Sequence, residues 1–242
     1  DTDRSRGLGD VYKRQRLHCS VPLVVDAAHG AHLGLAPWLP GRMEGDAVIC
    51  SYHKTLPALT QTAGVQVYDS SLAPKIKRYM DMYETSSPSY VLMNSVAKMA
   101  ELVADPAVFE TLQAGLQMLY KLPLQHLRLI QADDPTKINI STLHCNIDGN
   151  ALAHRLRARG IEPEMSDRIH VICMATVGDT VAGFHLLART LMEIDRTLAS
   201  GDWPVAPLPL PPRHLQSWQV PAGEPLPIEQ AVGRIACETV FA

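Results

Sequence analysis

Two short apolar runs, each ending in a knot of polar side chains, constrain this chain more than any other feature. Residues 21–25 (VPLVV) lead straight into Asp26, and residues 46–50 (DAVIC) lead into Ser51, Tyr52, His53 and Lys54. A brief run rich in valine and isoleucine with no polar alternation is the pattern of a buried strand in a sheet flanked by helices. Residues 64–68 (GVQVY) make a third run. Three short strands with no hairpin signal between them predict α/β organisation. In open α/β sheets ligands sit beyond the carboxyl ends of strands. Asp26 and Lys54 both fall at such ends.

From residue 89 the period changes. SYVLMNSVAKMAELVA, just after Pro88, repeats its apolar residues at spacings of three and four, and Pro106 opens AVFETLQAGLQMLYKL. Both read as helices. Strand-like runs follow at residues 127–131, 138–143 and 170–174, with helical runs at 149–159 and 181–198. The expected organisation is a partial large domain over 16–88, connecting helices over 89–125, and a smaller α+β domain over 126–202. Eight prolines between Trp203 and Pro227 exclude helix interior and central strand there. Residues 203–242 therefore read as an extended connection that leads into a further helix at IEQAVGRIACETV. Residues 1–15 are polar and without period, resemble adapter-derived read-through, and are set aside as a non-native or disordered segment.

Bulk chemistry removes several functions. A net charge of −3 and 5% aromatic residues supply neither the basic field nor the stacking platforms of a nucleic-acid binder. No run of about 18 apolar residues suggests a membrane span. The cysteines (Cys19, Cys50, Cys145, Cys173, Cys237) are odd in number, scattered, and form no CxxC pair. That pattern predicts reduced thiols in a cytoplasmic protein.

Alone, Asp26 is an ordinary strand-end or capping residue, Lys54 an ordinary surface lysine, and Ser51, His53, His29 and His32 ordinary loop residues. Together they make a chemical set. An enzyme that uses pyridoxal 5'-phosphate (PLP) needs a lysine amine to hold the cofactor as an imine. It needs a carboxylate to keep the pyridine nitrogen protonated, and donors for the phosphate. Lys54 can be the amine, Asp26 the carboxylate, and Ser51 and His53 the phosphate donors. Ala28 is small enough for a ring to lie flat over the strand end.

DAAHGAHLG followed by SYHKTLPALTQTA closely resembles the Orn/Lys/Arg decarboxylase family of fold-type-I PLP enzymes. ETSSPSYVLMNS (84–95), DPTKINI (134–140), GIEPEMSD (160–167) and PLPIEQAVGRIACETV (225–240) are similar to later blocks of that family, in order. The resemblance implies the C-terminal part of a PLP-dependent transferase-like large domain followed by a smaller α+β domain. It implies that Lys54 carries the Schiff base, that Asp26 pairs with the pyridinium, and that Ser51 and His53 contact the phosphate. Ala28 would lie against one ring face with His29 beside it on the substrate side, while Glu164 and Asp167 would shape the surroundings. The catalytic set is then Lys54, His53 and His29. The implied reaction turns lysine, ornithine or arginine into a diamine or polyamine precursor, in a homodimer or larger homo-oligomer with no nucleic-acid or membrane partner.

The same resemblance places a Gly/Ser/Thr-rich phosphate turn and a ring-stacking histidine upstream of residue 16, and more chain beyond residue 242. The chain is thus expected to hold the lysine half of a cofactor site and to bind PLP poorly by itself. Two other readings are open. Asp26, His29, His32 and His53 could ligate Zn²⁺ or Fe²⁺ in a metal-dependent hydrolase, and a paralogue could keep the fold without the catalysis.

Overall fold

The computed structural model describes residues 21–203, 219, 223–230 and 232–234. The chain divides into two compact units, Asp1–Trp203 and Pro204–Ala242. Residues 1–15, most of the proline-rich stretch and the end of the expected last helix lie outside the described residues. A 3₁₀ turn over Ile228–Gln230 stands where that helix was expected to begin.

In the first unit the three short runs make one sheet. β1 (Val24–Asp26) pairs in parallel with β2 (Ala47–Ser51), with Asp26 opposite Ile49. A four-residue helix, α1 (Tyr52–Thr55), follows β2 at once. β3 (Ala63–Val67) then returns antiparallel to β2, a pairing that the absence of a hairpin signal did not suggest. Eleven residues separate β2 from β3, too long for a tight-turn signature, so the reversal is made by α1 and the loop after it.

The expectation of a fully buried first strand is corrected. Val21 and Val24 are 69% and 54% exposed. β1 lies at the sheet edge, and its outer edge meets no other strand among the described residues. The apolar cluster under this sheet is small: Ala27, Val48 and Cys50, with Val25, Ala31 and Tyr52 against it.

Helices α2 (Ala73–Tyr83) and α3 (Tyr90–Val103) come next. α2 stands outside the expected helices, although Ile76, Tyr79, Met80 and Tyr83 recur at helical spacing, and it buries none of its side chains. α3 begins where expected, with Ser89 as N-cap accepting from the Leu92 amide. A 3₁₀ turn over Pro106–Phe109 then feeds α4 (Glu110–Leu119).

The second sheet has strand order β4–β5–β7–β6 and is antiparallel throughout: β4 (Arg128–Ile130), β5 (Lys137–Ser141), β6 (Met165–Ser166) and β7 (His170–Met174). Alternation along the strands is clean. Ile138 and Ile140 of β5 and Val171 and Cys173 of β7 are buried against α4, α5 (Gly149–Arg157) and α6 (Val181–Asp195). Gly115 of α4 lets the helices approach, since a Cβ there would overlap the Phe184 ring of α6. By the period of two, Lys137, Asn139, Ile172 and Met174 take the opposite face. Ala36 and Leu39, from the loop after β1, belong to this larger core. That loop joins the two sheets.

Candidate active site

Asp26 ends β1 and makes a local turn in which its Oδ1 accepts the Ala28 amide at 3.0 Å. This holds the carboxylate in one orientation and leaves Oδ2 available. The Ala27 amide donates to the Ile49 carbonyl (2.8 Å) and the Ser51 amide to the Ala28 carbonyl (3.3 Å), so the two strand ends are tied side by side. The residues read from the sequence as a set are therefore neighbours in space: Asp26, Ala28 and His29 leave one strand where Ser51, His53 and Lys54 leave the next.

Ser51 is the N-cap of α1 in an extended conformation, and its hydroxyl makes no capping bond. The Thr62 carbonyl anchors α1 from the far side. It accepts the Tyr52 amide at 3.0 Å and the His53 Nδ1 hydrogen at 2.8 Å. With Nδ1 donating, Nε2 is the nitrogen left for a ligand. Gln61, one residue before, has φ +72, a left-handed conformation that costs a non-glycine residue about 1 kcal/mol. Lys54 is exposed, and no ion pair or hydrogen bond among the described residues engages its ammonium.

Charges from the second sheet reach this set. Burial lowers the His29 pKa, Lys137 and Lys54 lower it further, and Glu164 and Asp26 oppose them. Burial also lowers the pKa of Lys137, against Asp134 and Glu164. Its Nζ is buried without a hydrogen-bond partner and stands 3.7 Å from Asp134 Oδ2. Lys137 lies in the DPTKINI block (134–140), for which the resemblance implies no site role. A lysine in the alternating pattern of β5 carries no sequence mark that separates it from a solvated one. Asp167 is engaged in its own turn, where its Oδ1 accepts the Ile169 and His170 amides at 2.7 Å each.

The metal reading does not survive this geometry. His32 faces Asp134, His53 faces a backbone carbonyl, and Asp26 holds an amide. Among the described residues no group of three or more His, Cys, Asp or Glu side chains could hold an ion.

Comparison with known proteins decides the family. A family model described as Orn/Lys/Arg decarboxylase, major domain, matches residues 10–139. The chain belongs to the Orn/Lys/Arg decarboxylase family. An arginine decarboxylase of Bacillus cereus is 29% identical over 91% of this chain and 54% of its own. An uncharacterized protein, YaaO, of Bacillus subtilis is 28% identical over 93% of this chain and 51% of its own. The chain thus spans about half the length of the curated relatives it matches. Among solved structures, lysine decarboxylase A from Pseudomonas aeruginosa has a TM-score of 0.58 at 19% identity, covering 72% of this chain and 32% of that one. A structure titled SPT with PLP has a TM-score of 0.57 at 14% identity, covering 78% and 51%. The fold is the mixed α/β fold of the fold-type-I PLP enzymes. By its name, the SPT neighbour holds PLP.

The donor set suits that cofactor. Among the described residues it offers an unengaged amine (Lys54), a carboxylate with one oxygen free (Asp26), a free hydroxyl (Ser51) and an imidazole with one nitrogen free (His53), gathered where β1 ends and β2 passes into α1.

Proposed function

We propose that this chain carries the lysine-bearing part of a PLP-dependent decarboxylase of a basic amino acid, with Lys54 as the residue that binds the cofactor covalently. The observation that carries this reading is the junction of β1 and β2. Asp26 ends β1 beside β2, and β2 ends at Ser51 and runs straight into α1, which carries His53 and Lys54. When bound, the cofactor supplies an electron sink for the bond between Cα and the carboxylate. Asp26 would hold the ring nitrogen protonated. Ser51 and His53 would hold the phosphate, and the methyl group of Ala28 would bound one ring face. His29 stands on the substrate side. Burial and the two lysines favour its neutral form, so it would not repel a cationic substrate. Lys54 would be the group placed to return a proton to Cα, because the one free nitrogen of His53 is taken up by the phosphate. Glu164, whose charge reaches both His29 and Lys137, is the acidic side chain on the small-sheet side available to a basic substrate. The buried cysteines Cys50, Cys145 and Cys173 are free thiols, which suits a reducing compartment. No helix among the described residues is long and apolar enough to cross a membrane.

The test is site-selective trapping. Because the chain is expected to bind PLP weakly, PLP is titrated upward from low-micromolar into large excess, the mixture is reduced with borohydride and digested, and the pyridoxyl group is located by mass spectrometry. Labelling concentrated on Lys54, and lost in Lys54→Ala, is expected. Labelling spread evenly over the exposed lysines would overturn the assignment. Substrate class is then read from CO₂ release with arginine, lysine and ornithine supplied one at a time. Arginine comes first because the matched relatives of Bacillus cereus and Bacillus anthracis are named arginine decarboxylases.

A further inference from the structure

Three residues beyond His29, a second histidine spends its ring on the other sheet. His32 is 2% exposed. Its Nε2 lies 3.2 and 3.1 Å from the two oxygens of Asp134 and 3.1 Å from Thr136 Oγ1. Asp134 Oδ1 also accepts the Thr136 amide at 3.0 Å and the Thr136 hydroxyl at 2.6 Å. A carboxylate only accepts, so the hydrogen sits on His32 Nε2. Nδ1 is buried and unpartnered, which leaves Asp134 and Thr136 as the polar anchors of the ring.

The backbone between the two histidines is short and closed. The Gly30 amide donates to the Ala27 carbonyl (2.7 Å) and the Leu33 amide to the Gly30 carbonyl (3.1 Å). A Cβ on Gly30 would come within 3.2 Å of both Ala27 and Leu33 side chains. In such a turn the position of residue 32 fixes the position of residue 29. Asp134 meanwhile lies just before β5, three residues from Lys137, and draws that ammonium to 3.7 Å. One carboxylate thus gathers the turn after β1 and the lysine of β5.

We propose that His32, Asp134 and Thr136 form a clasp that pins the 27–33 turn to the start of β5 and so positions the His29 imidazole beside Lys137. His32 is a positioning residue in this scheme: it touches neither cofactor nor substrate and acts through where it holds His29. The proposal rests on the functional reading only for its consequence, because the clasp itself belongs to the cofactor-free chain. His29 reports on it. Burial lowers the His29 pKa most, Lys137 and Lys54 lower it further, and Glu164 and Asp26 oppose them; Asp134, the carboxylate of the clasp, stands 3.7 Å from the Lys137 ammonium.

The experiment is histidine-ring NMR on the 242-residue chain without PLP, with His29 and His32 assigned by substitution. The wild-type chain should show His32 as the Nε2–H tautomer and His29 titrating below the ordinary value of about 6.5. In His32→Ala the His29 midpoint should move up toward that value. Amide exchange of the 27–33 turn should also rise roughly tenfold, the effect of losing a hydrogen bond to a charged acceptor. His32→Gln, which keeps a donor for Asp134, should restore the slow exchange. Thr136→Val, a smaller lesion for a chain that tolerates His32→Ala poorly, should move the midpoint in the same direction. A His29 midpoint unchanged in both His32→Ala and Thr136→Val would overturn the clasp. Because no cofactor is present, that failure is distinct from a failure of Lys54 to trap PLP.

Discussion

Asp195 shows how much one buried carboxylate can organise. It closes α6 at 4% exposure and accepts three consecutive amides from the segment entering β4: Gln125 at 2.7 Å, His126 at 2.9 Å and Leu127 at 2.7 Å. Burial pushes its pKa up, but the three amides outweigh burial and hold it below the ordinary carboxylate range. The sign of the linkage follows. A depressed carboxylate stabilises the fold above its unfolded pKa of about 3.9, and that contribution is lost as pH falls through the lower folded value. Asp195→Ala should cost roughly 3 kcal/mol in denaturant melts at pH 7, since three amides lose their acceptor. The difference between wild type and variant should shrink below about pH 4. If the two lose stability in parallel on acidification, the carboxylate is not the organising group. Nothing in the local sequence distinguishes this aspartate from a surface residue, because its partners lie about 70 positions away.

At the scale of elements, Gly149 separates helix propensity from packing. It opens α5, and its amide donates to the Arg168 carbonyl at 3.0 Å. In an open helix Gly→Ala gains up to about 1 kcal/mol. Here a Cβ would overlap the carbonyl oxygens of Asp167 and His170, which are backbone atoms and cannot rotate away. Gly149→Ala should therefore destabilise the chain by about 2 kcal/mol in a thermal melt, and a gain in stability would show that the β6–β7 turn yields. Elements with a strong period were legible from sequence: α3, α4, α5 and α6 occupy the expected stretches, as do β5 and β7. The antiparallel return of β3 was not, because it depends on where a long connection lands, while α2 falls outside the expected helices although Ile76, Tyr79, Met80 and Tyr83 recur at helical spacing.

Across the first compact unit, the two sheets rest on unequal cores. The second sheet shares a cluster that includes Phe109, Leu112, Leu119, Leu152, Leu156, Leu191 and Ile194, whereas the first sheet buries Ala27, Val48 and Cys50. Burying a large aliphatic side chain stabilises by about 1.5–3 kcal/mol, so local opening should favour the first sheet. In native-state hydrogen exchange the amides of Ile138, Ile140, Val171 and Cys173 should outlast those of Val24, Val25 and Asp26 by at least ~10-fold. Equal protection would mean that the unit opens only as a whole. The candidate site then stands on the less stable of the two sheets, next to the more stable one, with the loop after β1 as the link.

The sequence by itself determined the strand ends, and with them the polar residues they deliver. Apolar runs that stop at Asp26 and Ser51 leave those side chains nowhere but the carboxyl edge of a sheet, and the spacing of Ser51, His53 and Lys54 follows from chain length alone. What only the tertiary structure decided is what faces that edge. Asp134, Thr136 and Lys137 come within reach through a histidine 102 positions away in the chain, across a contact that no local pattern encodes. A hydrogen bond between distant segments leaves no period in either of them. The site's near half was therefore legible from the residues, and its electrostatic surroundings became visible only with the fold.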